Sequence, residues 1–213
     1  MRKALALALV LVLFALPLNA ALPKHLESVQ VLQGPECTTW SVNQKKGLWV
    51  TAAHCVTQIG IVEDTGDTFV ITWPLFIQEM PAEVIMLSPL GEWDIALLAS
   101  DFHAPALRIG NYPEVGDEVT VYGFPGGYRS PFPTWVRVSN PFHMWSDNAV
   151  GLWKANMIFD GHFFPGHSGS PILDKKGRVI SMVQGGFSDR YTGLNLGIPH
   201  SILKAFLVDA WEK

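Results

Sequence analysis

The chain has 213 residues, of which 48% are hydrophobic and 16% are charged, and its formal net charge is −4. This acidic balance argues against nucleic acid as a partner, because binding to phosphates depends on an excess of Lys and Arg. The length allows a sizeable hydrophobic core and fits one compact domain.

The N-terminus carries the pattern of an export signal. Arg2 and Lys3 precede an uninterrupted apolar run over 4–16, and small residues follow it. This order predicts a secretory signal peptide over 1–20 that is cut near Ala20. We therefore expect the mature chain to be secreted or periplasmic.

The apolar run is also informative about membranes. It is shorter than the roughly 20 residues that cross a bilayer, so we expect no stable membrane insertion of the mature chain. Leu18, where a smaller residue is usual, leaves an uncleaved anchor as the alternative. Cleavage removes two of the 15 Lys and Arg, so the mature domain over 21–213 has 13 against 19 Asp and Glu, a formal charge of −6.

Short runs rich in Val, Ile, Thr and aromatic residues predict β-strands, and turn-forming residues separate them. The predicted strands lie at 28–32, 38–42, 48–51, 68–73, 83–87, 95–99, 118–122, 134–138 and 179–183. After Pro199, apolar residues recur at helical spacing and predict a C-terminal helix over 200–212. The pattern is typical of an all-β barrel or sandwich, with its most probable internal boundary over 101–114.

The two cysteines, Cys37 and Cys55, can form one intramolecular pair. The export signal places them in an oxidising compartment, which favours a disulfide. Two buried free thiols are the alternative.

A histidine follows a predicted strand in the first half of the chain. The segment over 48–55 runs from an apolar strand into two small alanines and then His54 and Cys55. The alanines allow the chain to turn sharply off the strand, and a bond from Cys55 to Cys37 would hold that turn. A lone histidine is often structural, so its interpretation depends on the motifs that follow.

An acidic residue then enters an apolar strand at Asp94. A carboxylate beside such a run should be partly buried and therefore needs a polar partner. Asp101 is the nearest alternative for the same role.

Ser168 stands in a glycine-rich loop over 165–171. The flanking glycines permit a tight backbone that can direct the N–H groups of Gly166 and Ser168 at one point, as an oxyanion hole requires. One alternative is an ordinary Gly/Ser turn. Another is the nucleophile elbow of α/β-hydrolases, but that fold needs glycine where Ser170 stands and alternating strands and helices.

Together these three segments resemble the catalytic motifs of the trypsin and chymotrypsin family of serine proteases, closest to its bacterial glutamyl-endopeptidase-like branch. The resemblance spans about 37–206. It implies an all-β, chymotrypsin-like fold of two six-stranded antiparallel β-barrels, over about 22–105 and 115–200, followed by the C-terminal α-helix.

The same resemblance implies a serine endopeptidase that hydrolyses peptide bonds. His54, Asp94 and Ser168 would form its catalytic triad, and the amides of Gly166 and Ser168 its oxyanion hole. The alternative is a non-catalytic homologue that binds polypeptide in the same cleft, although no triad residue has been lost. We expect a polypeptide substrate, a monomeric protein and no cofactor. We also expect no metal, because His162 and His167 lack the spacing and the companion ligands of a zinc site.

The resemblance also assigns residues to substrate binding. Gln184, Gly185 and Gly186 would form an edge strand to which a peptide adds as an extra strand. Asp160 and His162 are the polar candidates for selecting a substrate side chain.

Three departures from the family pattern qualify these assignments. Gln184 stands where a serine commonly supports the catalytic aspartate, so it either donates to Asp94 or lines the cleft. Val183 replaces the substrate-reading histidine of glutamyl endopeptidases, so their glutamate preference is not expected here. His167 replaces the aspartate that pairs with a new N-terminus in animal trypsins, so we expect activity without N-terminal trimming and a loop held by other contacts.

Overall fold

The computed structural model describes residues 24–61, 68–88, 93–147, 152–186 and 193–212. The predicted signal peptide and its cleavage site lie outside these residues. Most of the described chain forms two closed barrels, each with six antiparallel strands. The predicted chymotrypsin-like architecture is therefore confirmed.

The first barrel precedes the second in the chain. Its first and fourth strands in chain order pair with each other, and this pairing closes the barrel. Its strands, in the spatial order β1-β2-β3-β8-β7-β6, are β1 (Val29–Gln33), β2 (Cys37–Asn43), β3 (Leu48–Thr51), β6 (Leu75–Ile77), β7 (Met80–Leu87) and β8 (Ala96–Ser100). A separate hairpin consists of β4 (Thr57–Ile61) and β5 (Thr68–Thr72).

The second barrel has the spatial order β10-β11-β14-β13-β12-β9. Its strands are β9 (Glu118–Gly123), β10 (Phe132–Asp147), β11 (Leu152–Asp160), β12 (Pro171–Leu173), β13 (Val179–Gly186) and β14 (Leu194–Gly197). The helix α1 (His200–Glu212) follows directly and confirms the predicted helix. Within the described ranges, no helix has both the length and the apolar character needed to cross a membrane.

Three apolar clusters explain why these strands form two barrels. One cluster fills the first barrel around Trp49, and another fills the second around Phe159. The third joins the outer faces of both barrels to α1 and includes Trp40, Phe124 and Leu203. Because β2 faces the first barrel on one side and this shared cluster on the other, six of its seven residues are buried and it lacks simple alternation.

The segment between the barrels is hydrogen-bonded to β2. The hydroxyl of Ser41 donates to the carbonyl of Ala104 at 2.9 Å, and the N–H of Leu107 donates to the carbonyl of Ser41 at 2.9 Å. These bonds satisfy buried backbone groups and fix where the second barrel begins.

Candidate active site

His54 lies in a short 3₁₀ turn, Ala53–Cys55, that directly follows β3. The N–H of Cys55 donates to the carbonyl of Ala52 at 3.1 Å, and Ala52 is fully buried. Small residues are needed here because the turn packs against the loop with Ser168, which is described below. The predicted Cys37–Cys55 disulfide is present and joins the turn to the first residue of β2.

Asp94 holds both the backbone and the ring of His54. One carboxylate oxygen accepts the N–H of His54 at 2.8 Å, and the other lies 2.6 Å from Nδ1. Two facing acceptors would repel each other, so Nδ1 carries a proton and donates it to the carboxylate. Nε2 is then the nitrogen left to exchange a proton with another group.

The segment that carries Asp94 is itself fixed. The hydroxyl of Ser88 donates to the carbonyl of Trp93 and accepts the N–H of Ile95, and the N–H of Ser88 donates to the carbonyl of Ile95 at 2.9 Å. These bonds and the full burial of Ile95 fix the backbone on both sides of Asp94. The side chain of Asp94 is 15% exposed, whereas that of His54 is 49% exposed.

The electrostatics of this pair favour a charged imidazole. Burial of the ring acts to lower the pKa of His54, but the hydrogen bond to Asp94 and the negative charge of Asp94 outweigh it. The net effect is a pKa of His54 above its ordinary value. A carboxylate that stabilises the imidazolium in this way suits a histidine that must take up a proton during a reaction.

The loop with Ser168 is tied to the first barrel by Thr38. The N–H of Thr38 donates to the carbonyl of Ser168 at 2.9 Å, and its hydroxyl donates to the carbonyl of Gly166 at 2.8 Å. The same hydroxyl accepts the N–H of Phe124 at 3.1 Å. Since Thr38 follows the disulfide-bonded Cys37, one strand end connects the histidine turn to the serine loop.

Two glycines of the loop are required by its conformation. Gly166 and Gly169 have φ values of +93° and +80°, which favour glycine. A Cβ at Gly166 would lie 2.3 Å from the carbonyl oxygen of Phe124, and one at Gly169 would lie 2.2 Å from that of Thr38. The same Cβ at Gly169 would be 3.0 Å from the nitrogen of Ala52, so the serine loop lies directly against the turn that carries His54.

The backbone amides of the loop divide into two groups. Those of His167, Gly169 and Ser170 donate to carbonyl groups at 2.8 to 2.9 Å. In the described part of the chain, the amides of Gly166 and Ser168 donate to no protein acceptor. Two unsatisfied N–H groups on either side of His167 are suited to binding a negatively charged oxygen.

His167 is fully buried beside the rings of Phe163 and Phe164. Its Nδ1 accepts the N–H of Phe164 at 3.1 Å, and burial lowers its pKa to about 4. The ring is therefore neutral near pH 7, and it fastens the loop by a backbone hydrogen bond. Among the described residues, Nε2 of this ring has no hydrogen-bond partner.

A cluster of possible metal ligands lies beside the turn, where atoms of Cys37, His54 and Cys55 are within 4.8 Å of one another. Both sulfur atoms are bonded to each other, so neither offers a thiolate. The cluster is therefore not suited to zinc.

The family model of the trypsin-like peptidase domain matches residues 37–182, which run from the start of β2 into β13. The chain belongs to this family. No curated protein gives a significant match. Among solved structures, the inactive form of the Rv3671c protease is 20% identical, with 87% of this chain and 89% of that chain covered and a TM-score of 0.69.

Two further structures agree in fold with this trypsin-like peptidase domain. The active form of the Rv3671c protease from M. tuberculosis is 21% identical, with 86% of this chain and 81% of that chain covered and a TM-score of 0.63. The HtrA-type protease AlgW with a tripeptide is 20% identical, with 86% and 60% covered and a TM-score of 0.63. At these identities, the structural similarity supports the fold alone. Membership of the glutamyl-endopeptidase-like branch stays a prediction.

The predicted substrate-binding residues of this trypsin-like peptidase domain fall into two groups. Gln184, Gly185 and Gly186 end β13, and a Cβ at Gly185 would meet no atom within 4 Å. Among the described residues, no atom crowds β13 at Gly185. Asp160 and His162 are both exposed, and the ring of His162 lies 6.4 Å from that of Phe164.

The side chain of Gln184 accepts a hydrogen bond from the amide of Asn156. Of the two roles that the sequence leaves open for Gln184, donation to Asp94 has no support among the hydrogen bonds of the described residues. The carboxylate is instead held by the backbone and ring of His54. Sequence reasoning also missed Thr38, since nothing in the local pattern marks this residue.

Proposed function

We propose that the chain is an exported serine endopeptidase that hydrolyses peptide bonds through a covalent acyl-enzyme. The hydroxyl of Ser168 attacks the scissile carbonyl while His54 takes its proton, and Asp94 orients and stabilises the resulting imidazolium. The N–H groups of Gly166 and Ser168 bind the oxyanion. His54 then returns the proton to the leaving amine.

One observation carries the proposal. Asp94 binds His54 at Nδ1 and at the backbone N–H, which leaves Nε2 as the only ring nitrogen able to act as base. The serine loop packs on the same turn at Gly169. A Cβ added there would lie 2.2 Å from the carbonyl oxygen of Thr38 and 3.0 Å from the nitrogen of Ala52. A base, its orienting carboxylate and a hydroxyl on a rigid loop are the parts that acyl transfer to serine needs.

Two unpaired amides support the assignment of the oxyanion hole. The N–H of Gly166 shares a peptide unit with the carbonyl of Pro165, which accepts the N–H of Gly126 at 2.7 Å. The N–H of Ser168 shares a peptide unit with the carbonyl of His167, which accepts the N–H of Ser170 at 2.8 Å. Both donors therefore have fixed orientations. Fixed donors cost no reorganisation when negative charge develops on the substrate oxygen. The pattern over 1–20 supports export, and the acidic mature chain suits a protease that does not bind nucleic acid.

The direct test is labelling by a fluorophosphonate probe, which reacts with activated serine hydroxyls. We expect one labelled peptide, with the modification on Ser168, and loss of labelling after prior treatment with a serine-directed inhibitor. Ser170 is fully buried in the same loop and serves as an internal control. Folded protein that takes up no probe would favour the non-catalytic homologue, and label on Ser170 would contradict the assignment.

A second expected result is the dependence of activity on pH. His54 must be neutral to act as base, and Asp94 holds the pKa of His54 above its ordinary value of about 6.5. Activity should therefore fall as pH decreases, with a midpoint above about 6.5. Measurement of kcat/KM on a neutral peptide from pH 4 to 9 tests this, and a flat acidic limb would contradict the role of His54.

A further inference from the structure

The serine loop contains a tight turn over 164–167 that two hydrogen bonds close. The N–H of His167 donates to the carbonyl of Phe164 at 2.9 Å, and the N–H of Phe164 donates to Nδ1 of the His167 ring at 3.1 Å. Pro165 and Gly166 occupy the two central positions, and the φ of +93° at Gly166 suits the third residue of a type II turn. His167 therefore closes this turn through both its backbone and its side chain.

This turn carries one of the two amides that the proposed function assigns to the oxyanion hole. The N–H of Gly166 donates to no acceptor in the described part of the chain. Glycine adopts backbone conformations with either sign of φ, so its residue type alone does not fix the direction of this N–H. The direction depends on the bonds around it, which are those that close the turn and the one from the N–H of Gly126 to the carbonyl of Pro165.

The ring of His167 is held in its neutral form. It is fully buried, with the rings of Phe163 and Phe164 at centroid distances of 6.3 and 5.9 Å. Because Nδ1 accepts a hydrogen bond, the one proton of the neutral ring lies on Nε2. Within the described ranges, Nε2 has no hydrogen-bond partner. The ring therefore contributes to the loop as an acceptor at Nδ1.

A charged ring would have no stabilising partner at this site. With a second proton on Nδ1, two N–H groups would face each other between His167 and Phe164. Burial is the influence that lowers the pKa of His167 to about 4, and no neighbouring charge contributes to that shift. The hydrogen bonds of the described residues join the ring to none of the titratable groups on the surrounding segments, which are Glu36, His54, Asp94, Tyr122, Arg129, Asp160 and His162.

We propose that His167 is a positioning residue that aligns the oxyanion hole only while its ring is neutral. A proton from solvent that adds to Nδ1 ends the hydrogen bond from Phe164 and opens the turn, so the N–H of Gly166 loses its alignment with that of Ser168. The inference rests on the proposed function, in which these two amides bind the oxyanion. It implies a reversible inactivation in acid that is separate from the protonation of His54.

Two substitutions separate the acceptor from the proton. In His167→Asn, Oδ1 is attached to Cγ as Nδ1 is in histidine, so the variant keeps an acceptor for the N–H of Phe164 and has no group that titrates. His167→Leu occupies the site without an acceptor. At pH 8, we expect kcat of His167→Asn to stay within about threefold of the wild type, and kcat of His167→Leu to fall about a hundredfold with little change in KM.

The acidic limb of kcat/KM on a neutral peptide should contain two steps in the wild type. One step belongs to His54, whose pKa is raised, and the other lies near pH 4 and belongs to His167. His167→Asn should lack the second step. At pH 3, one unit below the pKa of about 4, it should keep about tenfold more of its pH 8 activity than the wild type does. Return to pH 8 should restore the wild type, and circular dichroism checks folding at each pH.

An NMR titration gives a readout that needs no catalytic activity. In ¹⁵N-labelled mature protein, the amide signals of Gly166 and Ser168 should shift with the same midpoint as the ring of His167, and they should not do so in His167→Asn. His200→Gln is the matched control. His200 is also a buried histidine bonded to the backbone, with Nε2 3.1 Å from the carbonyl oxygen of Gly110, but it lies on α1. This control should keep the wild-type kcat and both acid steps.

Wild-type kcat in His167→Leu would overturn the inference, as would a failure of His167→Asn to restore it. Equal acidic limbs in the wild type and His167→Asn, or amides of Gly166 and Ser168 that do not follow the ring, would also overturn it. If His167→Leu does not fold, the comparison of wild type with His167→Asn decides. If the wild type unfolds above pH 4, the comparison of kcat at pH 8 decides.

Failure of the proposed function has a different signature. Wild-type protein that takes up no fluorophosphonate and cleaves no peptide would overturn that function. The NMR titration would still test whether the ring of His167 controls the amides of Gly166 and Ser168. Normal probe uptake with amides that do not follow the ring would overturn only the inference.

Discussion

Replacement of Ser168 by alanine should lower kcat by about a million-fold while leaving the fold intact. Alanine has no hydroxyl that could attack the substrate carbonyl. Neither hydrogen bond from Thr38 to this loop uses the hydroxyl of Ser168, so the fold should not change. Single-turnover and steady-state cleavage of an unfolded polypeptide, with circular dichroism as the measure of folding, would check this result.

Ser139→Ala is a matched control, because Ser139 is exposed on β10 and should tolerate the change without loss of activity. Residual activity of Ser168→Ala within tenfold of the wild type, once contaminating protease is excluded, would refute the triad assignment. Loss of folding in Ser168→Ala, measured by the unfolding midpoint, would show instead a structural role for that hydroxyl.

Replacement of Asp94 by asparagine should lower kcat by about ten thousand-fold. The asparagine oxygen can still accept the backbone N–H of His54, which Asp94 binds at 2.8 Å. Its NH₂ group then faces Nδ1 and donates to it, so the ring proton moves to Nε2. His54 in that tautomer cannot take the proton of Ser168.

For the same variant we also predict a lower pKa of His54. Without the carboxylate, the influences that raise the pKa of His54 are lost, and burial lowers it. The acidic limb of the pH profile should therefore move to lower pH in Asp94→Asn. Asp101→Asn is the control, because Asp101 is exposed and was the nearest alternative in the sequence. An effect of Asp101→Asn as large as that of Asp94→Asn would reverse the assignment.

Much of this fold is visible in the sequence because it depends on local patterns. The predicted strands at 38–42, 48–51 and 118–122 agree closely with β2, β3 and β9, where β-branched and aromatic residues are concentrated. Strands that are short or carry mixed patterns were missed, including β6, β11 and β12. Their strand conformation depends on pairing with neighbours distant in the chain, which no local window contains.

The candidate site divides in the same way. Motif residues and their order predict which side chains take part, and the export pattern with two cysteines predicts the disulfide that the structure contains. The sequence also explains the need for Gly166 and Gly169, because only glycine adopts their backbone conformation without strain. These inferences depend on residue type and spacing along the chain.

Only the tertiary structure decides how distant segments hold one another. Thr38 and Gly166 are 128 positions apart, yet their hydrogen bond fastens the serine loop to the first barrel. Asn195 and Gly161 are 34 positions apart, and their hydrogen bond joins β14 to the segment that follows β11. Threonine and asparagine are ordinary strand and turn residues in sequence. Their roles arise because burial obliges each polar atom to find a partner, and the closed barrels determine which partner is within reach.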